Sequence, residues 1–153
     1  MQITDAADFA LKNTLMETLD IEITEFTRER VVAVMPVGPK VHQPFGIMHG
    51  GVSVVLAETV ASAGSYQFID GSKQRAVGME INANHIRSVS KGEVRAIGTP
   101  AHVGRRSIIW DIRVVDDLDR LICVSRCTMS VINIEEGMLG KDMKKEAFRD
   151  AGQ

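Results

Sequence analysis

A glutamate inside an apolar helix is the residue with the clearest chemical potential in this chain of 153 residues. Glu58 lies within residues 52–61, which are apolar on nearly every side and therefore predict a buried helix. Burying a carboxylate is costly unless it is paired, hydrogen-bonded or protonated, and functional sites commonly carry such a cost. Glu58 is therefore the first candidate catalytic residue, with a structural acid paired to an arginine across an interface as the alternative.

The start of the same helix supplies a second candidate group. At Gly50 and Gly51 the first backbone N–H groups have no acceptor within the helix, and the missing side chains let a ligand oxygen approach. The positive end of the helix dipole favours a carbonyl oxygen that becomes negative in a transition state. Gly50 and Glu58 are about 12 Å apart along the helix, too far to contact one carbonyl group. A two-fold dimer with antiparallel central helices would bring the two groups together.

These residues and two downstream segments resemble a known enzyme family. The similarity rests on Gln43, His49-Gly50-Gly51, Glu58, Thr59 and Ser62, followed by residues 82–87 and 102–106. Together they resemble the hotdog-fold acyl-CoA thioesterases of the phenylacetate-pathway type, and within them the bacterial aryl-CoA and 1,4-dihydroxy-2-naphthoyl-CoA hydrolases. The resemblance covers about residues 5–133, and a charged tail over residues 134–153 lies outside it.

The resemblance implies catalytic roles for four residues. Glu58 would be the nucleophile or the general base that activates water. Gln43 and the Gly50 amide would polarise the thioester carbonyl, although Gln43 could also be an ordinary loop residue. His49 would orient the substrate by hydrogen bonding, with a helix-capping or core histidine as the alternative.

The resemblance also implies a set of substrate-binding residues on the central helix, on the predicted strands and on one turn. They are Gly51, Thr59, Ser62, Gly78, His85, Arg87, Ser88, His102, Gly104, Arg105, Arg106 and Ser107. The members from 85–88 and 102–107 would bind the pantetheine and nucleotide of coenzyme A, whose phosphates suit planar guanidinium donors. Solvated surface arginines and small packing residues of the helix are the alternatives.

Composition limits the classes of partner. A formal net charge of -2 argues against a nucleic-acid partner. No apolar run approaches the roughly 18 residues that span a bilayer, and the N-terminus lacks the features of a signal peptide, so we expect a cytoplasmic protein.

In a predicted strand, Cys123 and Cys127 would lie about 13 Å apart, too far for a disulfide, and we expect both to be buried and reduced. No residues cluster with metal-ligand spacing, so we expect no metal, and no cofactor besides the coenzyme A thioester substrate.

The hydrophobic pattern predicts a single α+β domain. A capped amphipathic helix is expected over residues 6–19, and a hairpin over 21–26 and 30–37, before the central helix that ends between 64 and 68. Four further strands are expected over 75–89, 93–103, 107–116 and 120–132, and residues 140–153 as a terminal helix or disordered segment. The resemblance assigns this pattern to the hotdog fold, a curved antiparallel sheet wrapped around one long central helix.

The resemblance therefore implies an acyl-CoA thioesterase, and it alone favours an aromatic acyl group over a long fatty chain. We expect a homodimer as the minimal active unit, assembled further into a dimer of dimers. One alternative is a proofreading hydrolase of acyl groups on a carrier protein, and another is a non-catalytic acyl-CoA-binding domain. The dehydratase branch of the fold is disfavoured, since a glutamate nine residues after His49 resembles the thioesterases.

Overall fold

The computed structural model describes residues 12–134, which form an antiparallel sheet wrapped around one long helix. The elements in chain order are α1 (Leu15–Leu19), β1 (Glu22–Phe26), β2 (Val31–Val37), a 3-10 turn (Pro39–Val41), α2 (Gly50–Ser65), a second 3-10 turn (Tyr66–Phe68), β3 (Gln74–His85), β4 (Gly92–Val103), β5 (Ser107–Asp116) and β6 (Leu121–Asn133). Within this range the six strands are ordered β1-β2-β4-β5-β6-β3, and every neighbouring pair is antiparallel. The predicted α+β architecture is confirmed.

Helix α2 is held against the concave face of the sheet by close packing at its C-terminal end. The indole of Trp110 on β5 is fully buried, and its Nε1 donates a hydrogen bond to Ser65 Oγ at 2.9 Å. Ser65 Oγ in turn donates to the carbonyl oxygen of Ala61 at 2.8 Å. A Cβ at Gly64 would overlap the Trp110 ring, so the glycine is what lets the helix approach β5. These contacts fix the position of the helix that carries both candidate catalytic groups.

A β-bulge in β3 decides which of its side chains face α2. Gly78 pairs with Met129 of the antiparallel strand β6, and Glu80 pairs with the adjacent residue of that strand, Thr128. Met79 therefore has no pairing partner on β6 and is an extra residue in β3. An extra residue reverses the alternation of side chains between the two faces of a strand. Gly78 therefore faces the helix before the bulge, and His85 faces it after the bulge.

The ends of two elements differ from the sequence expectation. Helix α1 begins at Leu15, capped by Thr14, because Asn13 has a positive φ of 60° that interrupts a helix. The helix start expected at Thr4 and Asp5 lies outside the described residues, as does the tail from residue 135 onward.

Strand β3 ends at His85 rather than at residue 89. The N–H groups of Ile86 and Arg87 both donate to one carbonyl oxygen, that of Ile122, so the regular ladder stops there. The expectation that Arg87 and Ser88 belong to the strand is therefore wrong, and both lie in the loop that follows it.

The end of the central helix and the buried, free state of Cys123 and Cys127 are confirmed.

We predict that Gly64→Ala lowers the free energy of unfolding by about 1–3 kcal/mol, because the new methyl group overlaps Trp110 in a packed core. Chemical denaturation measures the change. Gly38→Ala is the matched control, since its backbone is extended (φ -162°) and no atom lies within 4 Å of the added Cβ. Equal free energies of unfolding for the two variants would contradict the conclusion that Gly64 lets α2 pack closely against Trp110.

Candidate active site

The start of α2 presents a backbone N–H group that has no partner among residues 12–134. His49 is the N-cap residue, and its Nδ1 accepts a hydrogen bond from the N–H of Gly51 at 2.9 Å. The N–H of Val52 donates to the His49 carbonyl oxygen at 2.9 Å. The N–H of Gly50 makes no hydrogen bond to the described part of the chain. It lies at the positive end of the helix dipole, so it can bind an oxygen that carries negative charge. The capping role left open for His49 is thus observed, while its role toward a substrate stays a prediction.

A cavity of about 280 Å³ adjoins this N–H group, and we call it the helix-start cavity. Its polar lining residues are Gln43, Gly50, Ser53, His85, Arg87 and Ser88. Gln43 enters it from a tight loop, closed by a hydrogen bond from the Gln43 N–H to the Ile47 carbonyl oxygen at 2.8 Å. Gly46 at the loop tip has a φ of +74°, a conformation that favours glycine.

His85 packs directly against the helix start. A Cβ at Gly50 would lie 2.7 Å from His85 Nε2, so only a glycine lets the imidazole occupy this position without a shift. The bulge at Met79 is what turns His85 toward the helix. The structure therefore brings three predicted substrate-binding residues, His85, Arg87 and Ser88, together with Gln43 and Gly50.

Glu58 is half-buried rather than buried, so the sequence expectation was wrong on this point. The sheet covers only one face of α2, and the face that carries Val55, Glu58 and Ser62 is partly exposed. The Glu58 carboxylate makes no hydrogen bond or ion pair with residues 12–134. It lies over the backbone of Gly78, where a Cβ would overlap its Oε1 atom. An open carboxylate in this position is available to a ligand.

Two cavities meet at the Glu58 side chain. The α1–α2 cavity has a volume of about 390 Å³ and is also lined by Leu15, Met16, Val55, Thr59, Ser62 and Ala63. The α2–β3 cavity has a volume of about 150 Å³ and is also lined by Gly78, Met79, Glu80, Ile81 and Cys127. Thr59 donates its hydroxyl to the Val55 carbonyl oxygen at 2.8 Å and is therefore already bonded within the helix. The carboxylate thus has an apolar space on one side and the backbone of β3 on the other.

Cys127 is a potential nucleophile beside Glu58, but its protonation state opposes that role. Burial, together with the nearby negative charges of Glu58 and Glu80, raises the pKa of the Cys127 thiol to about 12. The thiol therefore stays protonated at neutral pH, whereas the nucleophilic form of cysteine is the thiolate. Glu58 remains the candidate group for the chemistry.

The remaining predicted residues lie at the β4–β5 turn. The Gly104 N–H donates to the Ser107 carbonyl oxygen at 2.9 Å, and the His102 imidazole folds against Gly104. Arg105 and Arg106 are exposed, and neither guanidinium group bonds to a residue of the described range.

In one chain this turn is far from the helix-start cavity. The Arg106 carbonyl oxygen accepts a hydrogen bond from the N–H of Val131, which pairs with Ala76 near the start of β3. His85 lies nine residues further along β3, roughly 25–30 Å away. The structure therefore separates the predicted coenzyme A residues into two groups at opposite ends of the sheet.

Several residues that line these cavities were not among those predicted from the sequence. Ser53 lies three positions after Gly50, so helical spacing could have placed it on the same face. The local sequence does not mark Leu15 and Met16 as cavity residues, because their position beside Glu58 depends on how α1 packs on α2.

Neither a metal site nor a membrane-spanning helix is found in the part of the chain that the structure covers. Between residues 12 and 134, no three acidic, histidine or cysteine side chains are placed to hold a metal ion. No helix in that range is long and apolar enough to cross a membrane.

Comparison with known proteins gives consistent matches. Residues 45–123 match the sequence profile of the family described as "Thioesterase superfamily". A Bacillus subtilis protein named as an esterase is 57% identical over 122 residues, covering 80% of this chain and 97% of that protein. The 1,4-dihydroxy-2-naphthoyl-CoA hydrolase of Listeria monocytogenes is 44% identical over 117 residues, covering 76% of this chain and 94% of the hydrolase.

Two further matches agree with these. A proofreading thioesterase of Cronobacter turicensis is 45% identical over 120 residues, covering 78% of this chain and 86% of that enzyme. The solved structure of a mutant thioesterase from Pseudomonas aeruginosa superposes with a TM-score of 0.83 at 40% identity, covering 87% of this chain and 97% of that chain.

We predict that neither cysteine reacts rapidly with a thiol reagent such as DTNB at about pH 8 while the protein is folded. Burial raises the pKa of both thiols, so each stays protonated and enclosed. After unfolding in denaturant, the same assay should titrate the 2 cysteines of the chain. Rapid stoichiometric labelling of the folded protein at Cys127 would show that this thiol is available for chemistry.

Proposed function

The chain belongs to the thioesterase superfamily and is a thioester hydrolase, and from this premise we propose that it hydrolyses aromatic acyl-CoA thioesters with Glu58 as nucleophile or general base. The hotdog fold predicted from the sequence is confirmed by the same matches. The observation that carries the proposed mechanism is the Glu58 carboxylate, which faces two cavities and bonds to no described residue. The similarity to a 1,4-dihydroxy-2-naphthoyl-CoA hydrolase supports the aromatic substrate.

The reaction needs stabilisation of a developing oxyanion and activation of water. The N–H of Gly50 and the side-chain amide of Gln43 would donate hydrogen bonds to the thioester carbonyl oxygen. Acting as a base, Glu58 takes a proton from water while the water oxygen bonds to the carbonyl carbon. The carbonyl then re-forms as the carbon–sulfur bond breaks, the electron pair leaves with sulfur, and the proton taken up by Glu58 passes to the thiolate of coenzyme A. Acting as a nucleophile, Glu58 bonds through a carboxylate oxygen to the carbonyl carbon, and the carbon–sulfur bond breaks as coenzyme A leaves as the thiolate. Water then hydrolyses the resulting acyl anhydride to the free acid and restores Glu58.

The two halves of this machinery would come from two subunits. Gly50 and Glu58 lie about 12 Å apart on one helix, so one chain cannot present both to the same carbonyl group. The partly exposed face of α2 and the edge strand β3 offer a surface for a second copy. On β3, the side chains of Val77 and Met79 are 42% and 64% exposed, and a long edge strand with apolar side chains is a ready surface for pairing. Assembly into a homodimer would place Glu58 of the partner subunit beside Gly50, and further assembly into a dimer of dimers stays a prediction.

Such a dimer would also account for the separation of the predicted coenzyme A residues. If two β3 strands pair antiparallel, the His85 end of one strand approaches the start of the other. The β4–β5 turn with Arg105 and Arg106 lies near that start. His85, Arg87 and Ser88 of one subunit and the two arginines of its partner would then bind one coenzyme A molecule, with the guanidinium groups at the phosphates.

The α1–α2 cavity is the proposed site of the acyl group. Its volume of about 390 Å³ falls within the usual range of small-molecule pockets. Leu15, Met16 and Val55 give it an apolar wall, and Glu58 lies at its edge. A planar apolar ring attached to the thioester carbonyl suits this arrangement.

A second candidate function is removal of acyl groups from a carrier protein. The similarity to a proofreading thioesterase favours it as strongly as the similarity to the naphthoyl-CoA hydrolase favours the first. Both substrates present a thioester of pantetheine, so the same catalytic residues serve either one. Turnover of one acyl group on coenzyme A and on a carrier protein separates the two functions.

We predict that the wild-type protein hydrolyses hydroxybenzoyl-, phenylacetyl- and dihydroxynaphthoyl-CoA faster than hexanoyl- or palmitoyl-CoA. Glu58→Gln should lower kcat by about a hundredfold or more with all of them, because an amide neither deprotonates water nor attacks the carbonyl. Release of free thiol measures the rate.

Glu80→Gln is the matched control, because Glu80 lines the same α2–β3 cavity but is exposed. Its kcat should stay within about twofold of wild type. A preference for long aliphatic acyl groups would refute the aromatic assignment, and wild-type turnover by Glu58→Gln would remove Glu58 from the mechanism.

A further inference from the structure

Ser53 is an exception among the buried polar side chains of residues 12–134. The four such residues are Ser53, Ser65, Asp116 and Ser125, each at most 2% exposed. Ser65 bonds to Trp110, Asp116 accepts from Arg120, and Ser125 donates to the carbonyl oxygen of Asn82 at 2.7 Å. Only the Ser53 hydroxyl has no hydrogen-bond partner within the described range.

The location of this hydroxyl suggests that a ligand supplies the missing partner. Ser53 is 1% exposed and lines the helix-start cavity beside Gly50 and His85. A buried hydroxyl without a partner lowers stability, and native proteins rarely contain one without a reason. A polar group bound in the cavity would satisfy it.

The helix geometry limits which ligand atom this is. Ser53 lies three residues after Gly50, on the same face and about 4.5 Å further along the axis. A carbonyl oxygen bound to the Gly50 N–H lies beyond the end of the helix, out of reach of the Ser53 hydroxyl. The partner of Ser53 is therefore a different polar atom of the same ligand.

We infer that Ser53 binds the first amide of the pantetheine arm, an inference that rests on the proposed function. In a pantetheine thioester, two methylene carbons separate the sulfur from this amide, a span of about 4 Å over three extended bonds. That span is close to the rise between Gly50 and Ser53. An amide carries both a donor and an acceptor, and a serine hydroxyl can pair with either. The proposed acyl site is the apolar α1–α2 cavity, so the polar helix-start cavity is left for the arm.

The test uses one hydroxybenzoyl group on three thiols, with Ser53→Ala compared with wild type. Coenzyme A and N-acetylcysteamine both carry the first amide, and ethanethiol does not. The variant should lose about five- to tenfold in kcat/KM with the first two thioesters, the effect of one neutral hydrogen bond, and nothing with the third. Its Tm should equal or exceed that of wild type, because the substitution removes an unpaired buried hydroxyl.

Two buried serines with protein partners are the controls. Ser65→Ala and Ser125→Ala should each lower Tm and leave the ratios of kcat/KM among the three thioesters unchanged. An equal loss by Ser53→Ala with all three thioesters, or no loss with the coenzyme A thioester, would overturn the assignment of Ser53 while the proposed function stands.

A binding measurement keeps the two proposals separable. Free coenzyme A should raise the Tm of the wild-type protein more than that of Ser53→Ala. If the wild type hydrolyses no coenzyme A thioester, the proposed substrate is wrong, and the size of this Tm shift still decides the role of Ser53. An equal shift in both proteins, or none in either, overturns the inference.

Discussion

The position of two candidate catalytic groups on one rigid helix is the constraint on which the rest of the structure depends. Gly50 and Glu58 cannot change their separation of about 12 Å, because α2 is a continuous helix seated by the packing of Trp110 on Gly64. Among the described residues, α2 consequently has two open groups: the Gly50 N–H at its start, which has no acceptor, and the Glu58 carboxylate near its middle, which has no donor. If both groups act on one carbonyl group, a single chain contains two incomplete sites. A second copy with an antiparallel α2 would complete both, and the half-covered face of the helix is where that copy would pack.

Strand β3 contacts α2 at both candidate catalytic groups. Glu58 lies over Gly78, and Gly50 lies against His85, so both open groups meet the same strand at separate points. The extra residue Met79 between those points lets both contacts face the helix. A regular strand would have turned His85 away from the helix and removed one wall of the helix-start cavity. The bulge is therefore what brings His85 into the wall of the helix-start cavity.

The features that could be predicted from the sequence are those determined by residues close together in the chain. A histidine and two glycines mark the start of α2, and alternating apolar residues mark the strands, so the helix cap, the α+β architecture and the strand bounds largely agree with expectation. Features set by distant parts of the chain could not be predicted. The half-burial of Glu58 depends on how much of α2 the sheet covers. The bulge at Met79 depends on pairing with β6. The distance from Arg105 and Arg106 to His85 depends on the strand register, which places the β4–β5 turn beside the start of β3 and away from its His85 end.

The most direct test of the shared site is restoration of activity between two inactive variants. Glu58→Ala removes the carboxylate, and Gly50→Val blocks the helix start, so each homodimer should be inactive. Mixing them under subunit exchange creates heterodimers in which both lesions fall in one site and the other site is intact. Random exchange of equal amounts should then restore about a quarter of wild-type activity, since half of the dimers carry one working site of two. No recovery, with heterodimers demonstrated by differential tags and both variants folded, would contradict a site shared between subunits.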